Sequence, residues 1–564
     1  MNPKRAFALL VLAAPGFFPL EATAASVYLR VNQVGYNLAD SKVALALSNA
    51  GLSGQTFKVL AASSGAAAFS AQVGKDRGRY GNFAHLYELD FSALKKQGSY
   101  RIRLGGVVSP AFALRDDPYR IVIPVTLRFF RVQRCGDTHP SLHGACHLKD
   151  GKAQDGPAAG SLLDVSGGWH DAGDYLKFLI TTGLTTVVML AAYQDNPDAF
   201  EDADRNAVPD VLDEARIGLD WIYKLWDPKN KVLYYQVGDA GDHDRWRMPE
   251  EDANLPPRHV WACGPGKGAN VAGKAAAALA LASVIWKKPG SGFSDPALAS
   301  KYLAAAKAIY AFGKSRPGAQ SSTSGFYEES SWRDDMALAA AELFRATKTG
   351  AYLNEARAYG RAARNAYGFS YADIHALAQF EIGRLDSGYR AEAAAFLADD
   401  LKAFQRWAGR NPFRAAVERF WWGSATEMTG AALTALWHQE LTGKNTYRRL
   451  AVDQRDYLLG VNPWGVCFVN SLGSRWPRTP HHQIADLTGA QLAGFWDEGP
   501  INKADWDDLG ITLQGPDEYA AFQSDDALFH DDVEDYGTNE PTLDAAAHGL
   551  ALAARLRSSQ TTRR

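Results

Sequence analysis

Residues 270–283 read NVAGKAAAALALAS, and this stretch decides what most of the chain is. Alanine and leucine are the strongest helix formers, and small side chains let helices pack closely. Working outward, apolar residues recur at helical spacing near 120–134, 177–195, 208–227, 297–314, 331–348, 352–366, 370–382, 387–408, 424–442, 446–460 and 540–557. Together with the segment near 270–287 they make about twelve helices, which predicts a toroid of six hairpins or an open solenoid. The absence of a fixed repeat period argues against a regular solenoid.

Upstream the period changes. From Val27 to Leu114, short β-branched runs such as VYLRVNQ, KVALAL, TFKVLA and SYRIRLGG alternate with Gly, Asn and Ser, which reads as a small immunoglobulin-like β-sandwich. The predicted organisation is multidomain: an all-β sandwich over 25–115 and an all-α domain over 116–558, two units as a chain of 564 residues requires. The first residues, MNPKRAFALLVLAAPGFFPLEATA, have a basic start, an apolar run and a small-residue exit. They read as a signal peptide over 1–24 and predict export to the periplasm or the medium.

With 60 basic and 63 acidic residues the chain has no field suited to nucleic acid or an anionic membrane, so a neutral or weakly charged substrate fits better. Its 15 Trp and 23 Tyr supply flat faces of the kind that stack on sugar rings, although most will be core. Three loops, 136–175, 228–269 and 461–539, exceed the length at which a loop in a compact domain is usually functional. If all three open on one end of a helical toroid, they build a cleft there.

The loops carry the chemistry. Cys135, Cys146, His147 and His170 offer two thiolates and two imidazoles, a complete tetrahedral zinc set; a disulfide between Cys135 and Cys146 and buried free thiols are the alternatives. GGWHDAGDYLKF places Asp171 and Asp174 just after His170, and Glu540 lies in DYGTNE at the start of the last helical segment. A lone Glu there is ordinarily a helix cap. It becomes a catalyst only if a second carboxylate faces it, since inverting glycoside hydrolysis needs an acid for the leaving oxygen and a base for water. Pro480-His481-His482 puts two imidazoles on a rigid turn, of which at most one points into the cleft. Asp202, Asp204, Asn206, Asp210 and Asp213 suggest calcium, but helix capping explains several of them equally well.

Taken in order, LRVNQVGY, RFFRVQRCG, GGWHDAGDY, VPDVLDEARIGLDW, YLLGVNP and DVEDYGTNE resemble glycoside hydrolase family 9, the inverting cellulases, in the subgroup with an N-terminal immunoglobulin-like domain. The resemblance implies an (α/α)6 barrel. It implies Asp174 as base, Asp171 as the partner that holds the attacking water, and Glu540 as general acid, kept protonated by apolar neighbours such as Trp496 and Tyr536. It also implies a structural zinc at Cys135, Cys146, His147 and His170, and substrate contacts from Tyr536 and from His481 or His482, with His481 favoured; Trp169 and Trp496, which lie beside these motifs, are further candidates for sugar contact.

The departures bear on substrate. Gln483 stands where the family usually has Arg, Lys274 ends a motif that usually ends in Glu, and Trp496-Asp497-Glu498 replace small residues before the acid. The resulting expectation is a monomeric endo-β-1,4-glucanase acting on cellulose-type glucan or cello-oligosaccharides. The alternatives are an exo-acting β-glucosidase or glucosaminidase and, from another class, a non-catalytic carbohydrate-binding protein.

Overall fold

The computed structural model describes residues 26–363 and 368–558; the expected signal peptide and the end of the segment near 352–366 lie outside them. The first domain has nine strands: β1 (Val27–Arg30), β2 (Tyr36–Asn37), β3 (Val43–Ser48), β4 (Thr56–Ala61), β5 (Ala67–Gln72), β6 (His85–Asp90), β7 (Gly98–Leu104), β8 (Val107–Val108) and β9 (Phe112–Arg115). They form two sheets, ordered β1-β3-β6 and β2-β9-β7-β4-β5, with β8 paired to β7. In β7, Tyr100, Ile102 and Leu104 point inward while their neighbours face water, as the two-residue period requires. Inward residues of both sheets, among them Phe57, Val59, Leu89, Phe91 and Phe112, make the sandwich core.

The second domain contains twelve long helices. Six of them, Leu179–Asp195, Ala269–Trp286, Arg333–Thr347, His375–Leu385, Ser424–Thr442 and Leu543–Ser558, contact one another in sequence, and the last returns to the first. This is a closed inner ring, not an open solenoid. The other six, Val122–Gln133, Asp210–Lys224, Pro296–Ser315, Gly350–Ala362, Arg390–Arg410 and Arg448–Leu458, pack outside it. The observed architecture is therefore an (α/α)6 barrel.

Position in the ring explains composition. Outer helices show one apolar face, whereas Ala269–Trp286 buries 17 of its 18 residues, which is why its apolar residues run all round. That helix is long and apolar enough to cross a membrane, yet it is wholly enclosed by protein. Gly273 is required there: a Cβ would sit 2.5 Å from the Asp335 Cβ of the next inner helix. Lys274, one residue on, is buried with its Nζ 2.9 Å from Glu329 Oε1 and 2.6 Å from Asp335 Oδ1.

The sandwich is bolted to the barrel by buried polar contacts. Asp40 pairs with Arg448 at 2.9 Å and with Arg455 at 2.5 Å, and Asn32 Nδ2 donates to Asp456 Oδ1 at 2.8 Å. Gln33 donates to the Gly465 carbonyl at 2.7 Å and accepts from the Ser474 amide at 2.8 Å, so the sandwich also braces the third long loop.

Candidate active site

The three long loops converge on a cleft of about 440 Å³ lined by Gly173 and Asp174 from the first, His243, Asp244 and Trp246 from the second, and His481, Gln483, Leu509–Thr512, Glu534 and Tyr536 from the third. Closure of the ring is what joins Asp174 to Glu540, 366 positions apart in the chain. The Gly173 amide donates to Glu540 Oε1 at 3.2 Å, which places the acid directly against the turn that carries Asp174. That turn is locked on its other side, where the Gln483 amide donates to the Gly173 carbonyl at 2.9 Å.

Asp174 accepts the Leu176 amide at Oδ1, 2.9 Å away, and the His243 Nδ1–H at Oδ2, 2.6 Å away. Asp171 is buried and accepts from the Thr181 and Tyr327 hydroxyls; burial raises its pKa to about 8. Glu540 is pushed well above the usual carboxylate range, first by burial and then by the charge of Asp174. Two carboxyl groups thus share a site but differ in environment, the arrangement that separates an acid from a base. His243 is raised by its hydrogen bond to Asp174, whereas burial lowers His481.

His481 is the member of its pair that faces the cleft. Its Nδ1 donates to the Val533 carbonyl at 2.6 Å, and its ring meets Trp246 at 5.2 Å and Tyr536 at 5.7 Å. His482 turns inward instead and bonds Gln133 at 2.8 Å.

Two expected substrate contacts are corrected. Trp169 is fully buried, with Nε1 donating to Glu214 Oε1 at 2.8 Å; it packs between Phe130 and Gly218 and lies under the site. Trp496 is equally enclosed, its Nε1 on Thr126 Oγ1 at 3.1 Å and its ring against Gly549, where a Cβ would lie 2.0 Å from it. Asp497 and Glu498 are buried too, so this loop adds no bulk or charge to the groove surface. Glu540 is accordingly held protonated by enclosure and neighbouring carboxylates, not by Trp496.

Other residues of the cleft are absent from the sequence-based set. His243 and Trp246 line it, while Tyr327 supports Asp171 through its hydroxyl and Trp422 packs against Tyr536 with a 5.5 Å ring contact. His243 and Trp246 lie in a loop whose length and His/Trp content had marked it out. Tyr327 and Trp422 had no such signal.

Behind Asp171 lies the Cys/His cluster. Cys135 and Cys146 Sγ are 3.9 Å apart, which excludes a disulfide, and both thiols are free. Three further separations are Cys135 Sγ to His147 Nδ1 3.7 Å, Cys146 Sγ to His170 Nε2 3.6 Å, and His170 Nε2 to His147 Nδ1 3.4 Å. A tetrahedral zinc with ordinary Zn–S and Zn–N lengths implies edges of about 3.8 Å (S–S), about 3.5 Å (S–N) and about 3.3 Å (N–N). These four of the six edges match a zinc tetrahedron, all four donor atoms lie within 4.8 Å of one another, and Asp252 supports His147 Nε2 from outside at 3.0 Å. Of the residues considered for calcium, Asp202, Asp204 and Asp210 come together. Asn206 and Asp213 bond each other at 2.7 Å.

A closed helical toroid that brings two carboxyl groups, those of Asp174 and Glu540, together at a cleft on its end has the form of a glycoside hydrolase. The chain belongs to glycosyl hydrolase family 9, whose model matches residues 119–553, and the model of the cellulase N-terminal ig-like domain matches residues 24–109. It is 26% identical to the xyloglucan-specific endo-β-1,4-glucanase BoGH9A of Bacteroides ovatus over 94% of this chain and 93% of that one. Among solved structures it resembles a metagenome-derived glycoside hydrolase family 9 endoglucanase (TM-score 0.80, 29% identity, 94% of this chain and 99% of that one). It shares its fold with a Zn-binding triple mutant of endoglucanase J30 (TM-score 0.77, 24% identity, 92% and 99% coverage). The protein is thus an enzyme of the cellulase type, and the binding-only alternative falls away.

Proposed function

We propose that this protein is an exported, monomeric enzyme that cleaves β-1,4-glucosidic bonds inside cellulose-type glucan chains, with inversion. The observation that carries the proposal is the contact of Glu540 with Gly173, which sets an acid and a base, Asp174, in one cleft. Asp174 takes a proton from water while His243 and the Leu176 amide fix its carboxylate. Asp171, pinned by Thr181 and Tyr327, helps hold that water. Glu540 gives its proton to the leaving oxygen, for which its raised pKa suits it.

Endo action is supported by a row of rings across the cleft. Trp246 meets His481, His481 meets Tyr536 and Tyr536 meets Trp422 at centroid spacings of 5.2, 5.7 and 5.5 Å, and the two tryptophans at the ends of this chain of contacts are exposed and available to stack on sugar. A second reading, an exo-acting enzyme for amino sugars, has one observation in its favour. The cleft lining contains Asp244 and Glu534 beyond Asp174 and no Lys or Arg.

Cys135, Cys146, His147 and His170 would hold a structural zinc, four protein ligands leaving no position for a catalytic water. Its contribution would be to stiffen the backbone beside Asp171. The N-terminal signal segment is the support for export.

Product sizes from a cello-oligosaccharide ladder, run beside a chitosan oligomer ladder, test the substrate and the mode together. Mixed cello-oligosaccharide products from internal cuts are expected. Monomer alone, or cleavage of the chitosan ladder only, would refute the endo-glucanase reading.

A further inference from the structure

We propose that Arg247 is a positioning residue that ties one wall of the cleft to the Cys/His cluster, so that metal loading sets substrate affinity. The proposal rests on the reading of this cleft as the substrate site. His243 and Trp246, both cleft residues, sit on a segment whose regular structure is limited to the four-residue helix Ala240–His243. So short a helix cannot hold itself, and the segment is instead wound around one buried guanidinium.

Arg247 Nε donates to Asp252 Oδ1 at 2.6 Å, and Nη1 donates to the carbonyls of Arg245 at 2.7 Å and Asp242 at 3.2 Å. Nη2 is shared between the carboxylates of Asp242 and Asp252. The Arg247 amide donates to Gln483 Oε1 at 3.3 Å, its carbonyl accepts the Tyr175 hydroxyl, and its guanidinium lies over the Tyr175 ring at 5.2 Å. Gln483, which replaces the Arg usual in the family, thus serves here as a brace for the loop that presents Trp246.

Asp252 is the link to the cluster. Its Oδ2 accepts from His147 Nε2 at 3.0 Å, while His147 Nδ1 faces Cys135 and His170. An imidazole that gives Nδ1 to a metal must carry its proton on Nε2, which fixes it as a donor to Asp252. The connection runs His147, Asp252, Arg247, Asp242 and then His243 on Asp174. Without a metal nothing anchors Nδ1, so the imidazole and the Asp252 carboxylate bonded to it can shift, and the fork that shapes the 242–247 loop loosens.

The test compares the full-length wild type with Arg247→Met, Arg247→Lys and Asp252→Asn. It reads zinc content, hydrogen exchange of residues 239–252, and KM and kcat on a soluble cello-oligosaccharide. Arg247→Met should keep its zinc, raise KM about 10-fold, the low end for a residue behind a metal ligand, and change kcat less than about 3-fold; Arg247→Lys should fall between it and wild type. Chelating the wild type should raise exchange across 239–252 as Arg247→Met does, and chelating Arg247→Met should raise it no further. If Arg247→Met does not fold, Asp252→Asn should raise exchange across 239–252 and KM in the same direction, with weakened zinc retention because it also removes the partner of His147. An unchanged KM, or wild-type exchange across 239–252 that ignores chelation, would overturn the proposal. The exchange readout does not depend on catalysis, so failure of the Asp174 and Glu540 assignment would appear separately, as full activity in their amide variants.

Discussion

Gly173→Ala is a one-methyl change at the point where base, acid and His481 meet. Gly173 has no left-handed backbone requirement, so the effect is steric and can be worked from the geometry. A Cβ at 173 would lie 2.1 Å from the His481 carbonyl oxygen and 3.2 Å from Glu540 Oε1. Real Cβ atoms stay beyond 3.0 Å, so the two segments must separate by at least 3.0 − 2.1 = 0.9 Å. Neither side yields easily. The His481 amide is held by the Asn539 carbonyl at 2.9 Å, and the Gln483 amide by the Gly173 carbonyl at 2.9 Å.

A displacement of roughly 1 Å between reacting groups costs on the order of 100-fold in rate. The overpacking itself should cost about 1–3 kcal/mol of stability. Initial rates on cellotetraose, with thermal unfolding followed in parallel, would check both figures. The expected result is a folded enzyme whose kcat has fallen about 100-fold. Retention of kcat within about 3-fold would show that the Gly173 contact does not set the distance between acid and base.

Further outcomes follow from other contacts. Glu540→Gln and Asp174→Asn should each lower kcat by about 10²–10⁴-fold with little change in unfolding temperature, as removal of an acid or a base does. If Glu540 acts as the protonated acid, its pKa raised above the usual carboxylate range should let activity persist beyond that range and fall as pH rises through the raised value; a pH profile of kcat/KM reads this limb. Lys274→Met strips the cation from buried Glu329 and Asp335 and should cost about 3–5 kcal/mol in urea unfolding. Cys146→Ser should lose zinc by elemental analysis and lower the unfolding temperature, since it removes one corner of the tetrahedron.

The outer helices were legible because each keeps an apolar period, the inner helix Ala269–Trp286 because it is long and rich in Ala and Leu, and the strands because they alternate. Closure of the ring was not, since no local pattern records that Leu543–Ser558 returns to Leu179–Asp195. The catalytic and cysteine–histidine candidates were legible because unusual residue types sit close in sequence. Tryptophans were misjudged for a physical reason. Trp169 and Trp496 occupy loops rich in functional residues, but their indole N–H groups are satisfied by Glu214 and Thr126, partners distant in sequence. Conversely, Trp422 reaches Tyr536 from a distant part of the chain, its loop tied to the third long loop where Asn502 Nδ2 bonds the Phe420 carbonyl at 2.7 Å.

In the proposed reaction Asp174 drives water onto the anomeric carbon from one face while Glu540 protonates the leaving oxygen on the other. Proton NMR of a cello-oligosaccharide during the first minutes of hydrolysis reads the new anomer before it equilibrates. Inversion predicts the α-anomer first, with the β form growing in later. Initial appearance of the β-anomer would contradict it.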